Sequence, residues 1–465
     1  MSTAVPAAVA DRLLAEILGR PAAHAALGRL CDTIGGRPAG SEAARAGEDW
    51  AYGLLQGWGL HDVRFEPFTV MAWQRGPLEA VVDGPDGWPL VALAHGYSPR
   101  HAEVRAAVVD VGHGEPADFA RLADAVRGAV CLSDEDASPG QRVRHRSEKL
   151  AAAAAAGAAA LLIHSRDAGM VARTGVCAAG EAAIPSLGIT LEDGLRLKRR
   201  LAAGASPVVA IRMTNGFEAR PTRTVLADLP GRERPDEIVV AGGHLDSWDV
   251  AQGAVDNGLG AAIVLEMARA LATLAADGLR PRRTLRFALW AAEEVGLLGS
   301  KHYVAQHAAL LDQHAAVMNF DMTGDPYGYW IPGHTPPPLL DALAEQLAPL
   351  GMRAAFDDRA GLHSDHEPFL LEGVPVVGLR AVLPGEIGRT YHSASDTFDK
   401  VAAAPLARAA AVGAHTLWAL ADAAERPLPR LGPAAVRRML ERADLVEALA
   451  VGGYDGPPMH AAPGA

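Results

Sequence analysis

Cysteine is scarce in this 465-residue chain: Cys31, Cys131 and Cys177 are the full complement, and no two of them form a C-x-x-C pair. Such spacing argues against a disulfide framework and a cysteine-held zinc site, leaving three buried thiols as the plain reading. Also missing are H-E-x-x-H, G-x-S-x-G and a phosphate-binding loop, which removes the common rival hydrolase and nucleotide chemistries. Asn257-Gly-Leu-Gly260 opens a helix somewhat as a dinucleotide site does, but the third glycine is lacking and the preceding loop is long. Positive charge is in deficit: 43 Lys and Arg face 55 Asp and Glu, a net −12, which argues against nucleic acid or an anionic membrane as partner. The opening MSTAVPAAVADRLLAEILGR has no basic n-region, and Asp11, Arg12 and Glu16 interrupt its apolar residues. No secretion signal is read there, so the cytoplasm is the expected location. No apolar run approaches the roughly 20 residues of a spanning helix; residues 150–164 come nearest and are alanine-rich.

What is present is a globular composition, 49% hydrophobic and 21% charged, in a chain longer than one core usually organises. No fixed-period repeat runs through it. Residues 1–75 read as an N-terminal helical segment packing on the main domain, with apolar helical spacing over 8–31 and again at 50–58, then a strand at 62–70. Residues 76–218 read as an inserted smaller α/β module, with short Val-rich strands at 106–111 and 128–132 and helices at 147–157 and 191–202. From 219 to 425 strands (224–229, 237–242, 284–290, 315–319, 374–379) alternate with helices (259–274, 297–307, 338–350, 405–424). That alternation predicts a doubly wound, mostly parallel α/β sheet with helices on both faces. Residues 426–465 read as one helix, 434–449, followed by a frayed Gly/Pro-rich tail.

In an open α/β sheet, functional groups collect where strands end at the carboxyl edge. The second strand of the main domain ends in His244-Leu-Asp246, and its loop runs on to Asp256-Asn-Gly. The next strand ends in Glu293-Glu294, the following one in Asp321, and a late loop brings Tyr391-His392 and Asp396. Zinc takes imidazole nitrogen and carboxylate oxygen, and two-metal hydrolases need a carboxylate to bridge ions roughly 3.5–4 Å apart. Two imidazoles and several carboxylates at one sheet edge meet that need. Taken singly, Asp-Asn-Gly is an ordinary turn and paired glutamates at a strand end are often just solvated. The order in which all of them fall at strand ends is what favours chemistry.

The stretches GGHLDSWDVAQGAVDNGLG, LWAAEEVGLLGS, MNFDMTG and TYHSASDTFDKV resemble the elements of the zinc aminopeptidase family that includes bacterial leucyl aminopeptidases and plasma glutamate carboxypeptidase. The resemblance covers about 224–424. Residues 76–214, with GAVCLSDED and AAAAAAGAAALLIHS, are similar in composition to the protease-associated insert of some members. It implies two zinc ions per chain, with Co²⁺ or Mn²⁺ as substitutes. One ion falls to His244 and Asp321, the other to Glu294 and His392, with Asp256 and a water or hydroxide bridging them. Glu293 becomes the catalytic base, supported by Asp246. Asp246 and Asp396 are expected behind the zinc histidines, Tyr391 near the oxyanion, and Asp365 near the substrate pocket; His363 and His366 are not assigned to zinc. The implied activity is hydrolysis near the free amino terminus of short peptides or dipeptides, and the implied assembly is a homodimer. Two alternatives remain: a glutaminyl-cyclase-like zinc transferase, separable by metal count and product, and a non-catalytic binding protein of the same fold, which the intact ligand set disfavours.

Overall fold

The computed structural model describes residues 4–383, 385–454, 456 and 459. Its central sheet has five strands: β1 (His61–Gln74), β2 (Gly216–Leu229), β3 (Arg234–His244), β4 (Arg283–Trp290) and β5 (His314–Asn319), in the order β1-β2-β4-β3-β5. Strands β3, β4 and β5 are mutually parallel, whereas β1 and β2 add an antiparallel pair at one edge. A parallel strand covered by helices on both faces is apolar along its whole length, and all eight residues of β4 are buried. Successive side chains point to opposite faces. Val239, Ala241, Leu285 and Phe287 therefore face one core with the helices Leu259–Ala276 and Ala403–Asp422, while Val240, Ala288 and Trp290 face a second with Tyr303 and Phe369.

Helix Leu259–Ala276 is the one described helix apolar and long enough to cross a membrane by length and composition, and 83% of that stretch is buried inside the protein. The longest uninterrupted apolar run, 150–164, lies elsewhere, because Glu266 interrupts this helix. That glutamate is buried against Arg269 and the Ala22 N–H. Gly260 opens this helix where an added Cβ would lie 2.0 Å from the Phe320 carbonyl oxygen; the glycine serves close packing at the sheet edge, not phosphate binding.

The N-terminal stretch folds as two helices, Ala7–Ile17 and Ala23–Thr33, interrupted around Pro21, which has no N–H to continue the ladder. Both pack into the first core. The strand expected at 374–379 divides: Val376 bridges β5 at Val317, and from Gly378 the chain joins a separate three-stranded sheet with Asp325–Trp330 and Phe356–Asp357. The single C-terminal helix expected at 434–449 is two, Pro433–Arg442 and Val446–Val451, broken at Asp444, whose φ is +57°. The expected frayed tail falls mostly on residues outside those described.

Residues between β1 and β2 form a second body with its own eight-stranded sheet and one core of its own; a second core is shared with the main domain through Ala39, Trp248, Ala292 and Val295. It leaves and re-enters the main domain through paired strands, with Gln74 opposite Gly216. The C-terminal helices tie it down: Arg142 Nε donates to the Asp444 carbonyl at 2.6 Å, and Arg144 pairs with Glu447 at 2.9 Å.

Candidate metal centre

Two groups of side chains converge at the carboxyl ends of β3, β4 and β5. His244, Glu293 and Asp321 offer ligand atoms within 4.8 Å of one another, and so do Asp256, Glu294 and His392. Asp256 stands between the groups: its Oδ1 lies 3.2 Å from His244 Nε2 and its Oδ2 3.1 Å from His392 Nε2. Glu294 Oε2 is 2.9 Å from His392 Nε2; Asp321 Oδ1 and Glu293 Oε2 are 3.6 and 3.7 Å from His244 Nε2. By distance alone Glu293 is as close to His244 as Asp321 is, so proximity does not decide whether it holds a metal.

Three backbone features aim these groups. Ala292, Met322 and His392 have φ of +60°, +44° and +52°, a left-handed conformation that side-chain-bearing residues adopt at a cost and that gathers at functional sites. Each is, or adjoins, a residue of the cluster. Between His244 and Asp256 the chain wraps a buried guanidinium. Arg37 donates to the carbonyls of Leu245, Gly35, Gln252 and Gly253 at 2.6–2.9 Å.

The supporting carboxylates are not where the sequence reading put them. His244 Nδ1 bonds to the backbone carbonyl of Asp246 at 3.0 Å, not to its carboxylate. That carboxylate instead accepts from the N–H groups of Glu293 and Glu294 at 3.0 and 3.2 Å. Asp246 therefore orients the two glutamates, and its Oδ1 also lies 3.7 Å from His244 Nδ1, so it acts on the cluster from behind. Asp396 likewise accepts from the N–H groups of Val255 and Asp256 rather than from His392, whose Nδ1 faces the Thr174 carbonyl and Arg146 at 3.3 Å. Asp365 is fully buried and accepts from Ser300 Oγ at 2.6 Å, behind the cavity rather than in it. Tyr391 lines the cavity, stacks on His392 and accepts from Arg146 at 3.1 Å.

The cavity in front of the cluster holds about 360 Å³. Glu293, Glu294, Asp256 and Asp321 floor it, the three-stranded sheet supplies Trp330 and Leu379, and the insert supplies His145, Arg146 and Val176. A substrate-facing wall and a stabilising appendage were both open readings of the insert; the residues His145 and Arg146 were not singled out, nor was Ser364, whose hydroxyl bonds Asp321 Oδ2 at 2.6 Å. His145 and Arg146 open an alanine-rich helix, and nothing local marks them; the only signal was that Arg146 stands beside a capping Glu148.

Burial pushes the Glu293 carboxyl well above its ordinary range, and Asp321, Asp365 and Glu294 add to it against the pull of His244. Burial likewise pushes Glu294 up to about 7 and Asp365 up to about 8. Burial alone would lower both histidines, yet Glu293, Asp256 and Asp321 raise His244 well above the usual value, and Tyr391, followed by Glu294 and Asp256, does the same for His392. His244 Nε2 and Glu294 Oε1 are buried with no hydrogen-bond partner among the described residues. Crowded carboxylates, two imidazoles and orphaned atoms aimed at a common space fit divalent cations of the nitrogen- and oxygen-liking kind.

Fold and site together define a metallo-exopeptidase. Residues 224–417 match peptidase family M28, and residues 89–197 match the PA domain. Carboxypeptidase Q of Rattus norvegicus is 32% identical over 416 residues, spanning 87% of this chain and 86% of the relative. The crystal structure of a peptidase M28 precursor from Shewanella amazonensis superposes with a TM-score of 0.80 at 30% identity, covering 91% of this chain and 98% of that one. The zinc aminopeptidase BSAP of Bacillus subtilis shares the fold at 23% identity, with a TM-score of 0.65 over 87% of this chain and 98% of that one. The chain belongs to peptidase family M28.

Proposed function

We propose that this protein removes amino-terminal residues from short peptides and dipeptides with two zinc ions. His244 and Asp321 hold one, Glu294 and His392 the other, and Asp256 lies between. The observation that carries the two-ion reading is Asp256 itself, with one carboxylate oxygen turned to each histidine, as a bridging ligand requires. Bound zinc supplies Lewis acidity, polarising the scissile carbonyl and making a neighbouring water acidic near neutral pH. Co²⁺ and Mn²⁺ suit the same carboxylate-rich donors. Glu293, oriented through its N–H by Asp246, takes the proton from the attacking water and returns it to the departing amine. Tyr391, whose oxygen accepts from Arg146, keeps its own O–H free to donate to the oxyanion.

One end of the cavity supports a short substrate with a free carboxyl terminus: Arg146 on the insert side suits a carboxylate. The experiment is zinc content per chain, paired with hydrolysis of unblocked and N-acetylated dipeptides before and after chelation. Two zincs with chelator-sensitive release of free amino-terminal residues is the expected result. One zinc without cleavage favours the cyclase-type transferase, and equal cleavage of the N-acetylated peptide overturns the amino-terminal assignment.

A further inference from the structure

The two halves of the cluster are braced differently. His244 Nδ1 is held by the Asp246 carbonyl, and Asp321 by Ser364 Oγ, all within the peptidase domain. His392 is braced by the insert. An imidazole that binds a metal through one nitrogen carries its proton on the other and gives it to an acceptor. His392 Nε2 faces Asp256 and Glu294, so Nδ1 is the nitrogen left with the proton. Of the two groups 3.3 Å from Nδ1, the Arg146 guanidinium only donates, which leaves the Thr174 carbonyl as the acceptor. The Thr174 N–H in turn donates to the His392 carbonyl at 2.9 Å. Ring and main chain of His392 are thus clasped by one residue of the insert.

Thr174 is itself pinned through its side chain. Its Oγ1 donates to the Ala94 carbonyl and accepts from Arg75 Nη2, each at 2.9 Å. Arg75 is the first residue after β1, where the chain leaves for the insert. It also donates to the Ala94 carbonyl and pairs with Asp249 at 2.8 and 3.0 Å. Asp249 belongs to the loop that runs from His244 to Asp256, and its neighbour Trp248 meets His392 edge-on with ring centres 6.0 Å apart. We infer that Arg75 is a positioning residue for the ion held by Glu294 and His392, because it ties the loop carrying Asp256 to the insert segment that orients His392. The inference rests on the two-ion reading above and makes the ions unequal: one depends on the junction with the insert, and the other does not.

The test is a zinc titration of the chelated protein against a competing chelator, read as two dissociation constants, with circular dichroism to check that each variant folds. Arg75→Ala should weaken one ion about 10-fold or more and leave the other at its wild-type value. Thr174→Val, close in shape but without the hydroxyl that Arg75 reaches, should weaken the same ion, and it carries the test should Arg75→Ala not fold. In His392→Ala, left with the ion of His244 and Asp321, adding Arg75→Ala should change nothing. Glu148→Ala loosens the insert away from Thr174 and should keep both constants, a pattern that a role in stability alone would not produce. Wild-type constants in Arg75→Ala or in Thr174→Val, an equal weakening of both ions, or a matching loss in Glu148→Ala each overturn the inference and leave the two-ion reading standing. A wild-type protein that binds one zinc overturns both.

Discussion

In the insert, Glu148 is held by Arg142 at 2.5 and 2.8 Å and by Arg144 at 3.2 Å, Arg173 pairs with Glu135 and Asp167, and Lys149 donates to two backbone carbonyls. In the peptidase domain, Asp256, Glu293, Glu294, Asp321 and Asp365 crowd around two histidines, and burial drives three of them toward the protonated form. Charges matched within the chain hold a shape by themselves. Carboxylates gathered without matching cations hold a place for an ion from outside. The same residue types thus serve architecture in one body and chemistry in the other.

The largest expected effect comes from the unmatched side. Glu293→Gln should lower kcat by about 10²- to 10⁴-fold while zinc per chain, read by elemental analysis, stays unchanged. Loss of zinc from that variant would make Glu293 a ligand and break the assignment of roles. On the matched side, Glu148→Ala strands two arginines and removes the acceptor of the His145 N–H. It should cost about 3–5 kcal/mol in denaturant unfolding without lowering zinc content; a change under about 1 kcal/mol would mean that the insert's pairing is worth no more than an exposed ion pair.

The smallest effect separates the two bodies by pH. Glu294 and Asp365, raised to about 7 and about 8, bind protons more tightly folded than unfolded. For an acid shifted upward, the metal-free fold loses stability as pH rises from the ordinary carboxylate range through those values. Chelated protein should therefore melt lower at pH 8.5 than at pH 5.5, by on the order of 5 °C. Zinc-loaded protein, its carboxylates neutralised by the ions, should show little of that slope across pH 7–8.5. Identical pH profiles with and without metal would sink the contrast.

Most of the cluster was legible because parallel strands bring their carboxyl ends to one edge, so His244, Glu293, Glu294 and Asp321 meet wherever such a sheet forms. Which atoms the carboxylates behind the cluster bind was not legible. Asp246 and Asp396 were expected to back the histidines; both carboxylates take their hydrogen bonds from backbone N–H groups, with Asp246 still 3.7 Å from His244 Nδ1, a choice of rotamer that residue type leaves open. Arg146 and Ser364 were invisible for another reason. Their meaning lies in contacts to residues far along the chain, Arg146 to Tyr391 across 245 positions, and no local periodicity records such a contact. The break at Asp444 was missed because apolar spacing runs on through Leu445 and Leu449; only the backbone turn at 444 parts the two helices.

Gln74 stands opposite Gly216 on neighbouring strands, so the whole intervening body occupies the position of a hairpin turn. An evolving gene gains or loses such a passenger at one address, with the sheet's register on either side undisturbed. The passenger is not idle freight, because one wall of the reaction chamber travels with it through His145, Arg146 and Val176. Swapping the cargo at that address changes the menu and, with it, the Thr174 carbonyl and Arg146 that face His392 Nδ1, so menu and cluster change together.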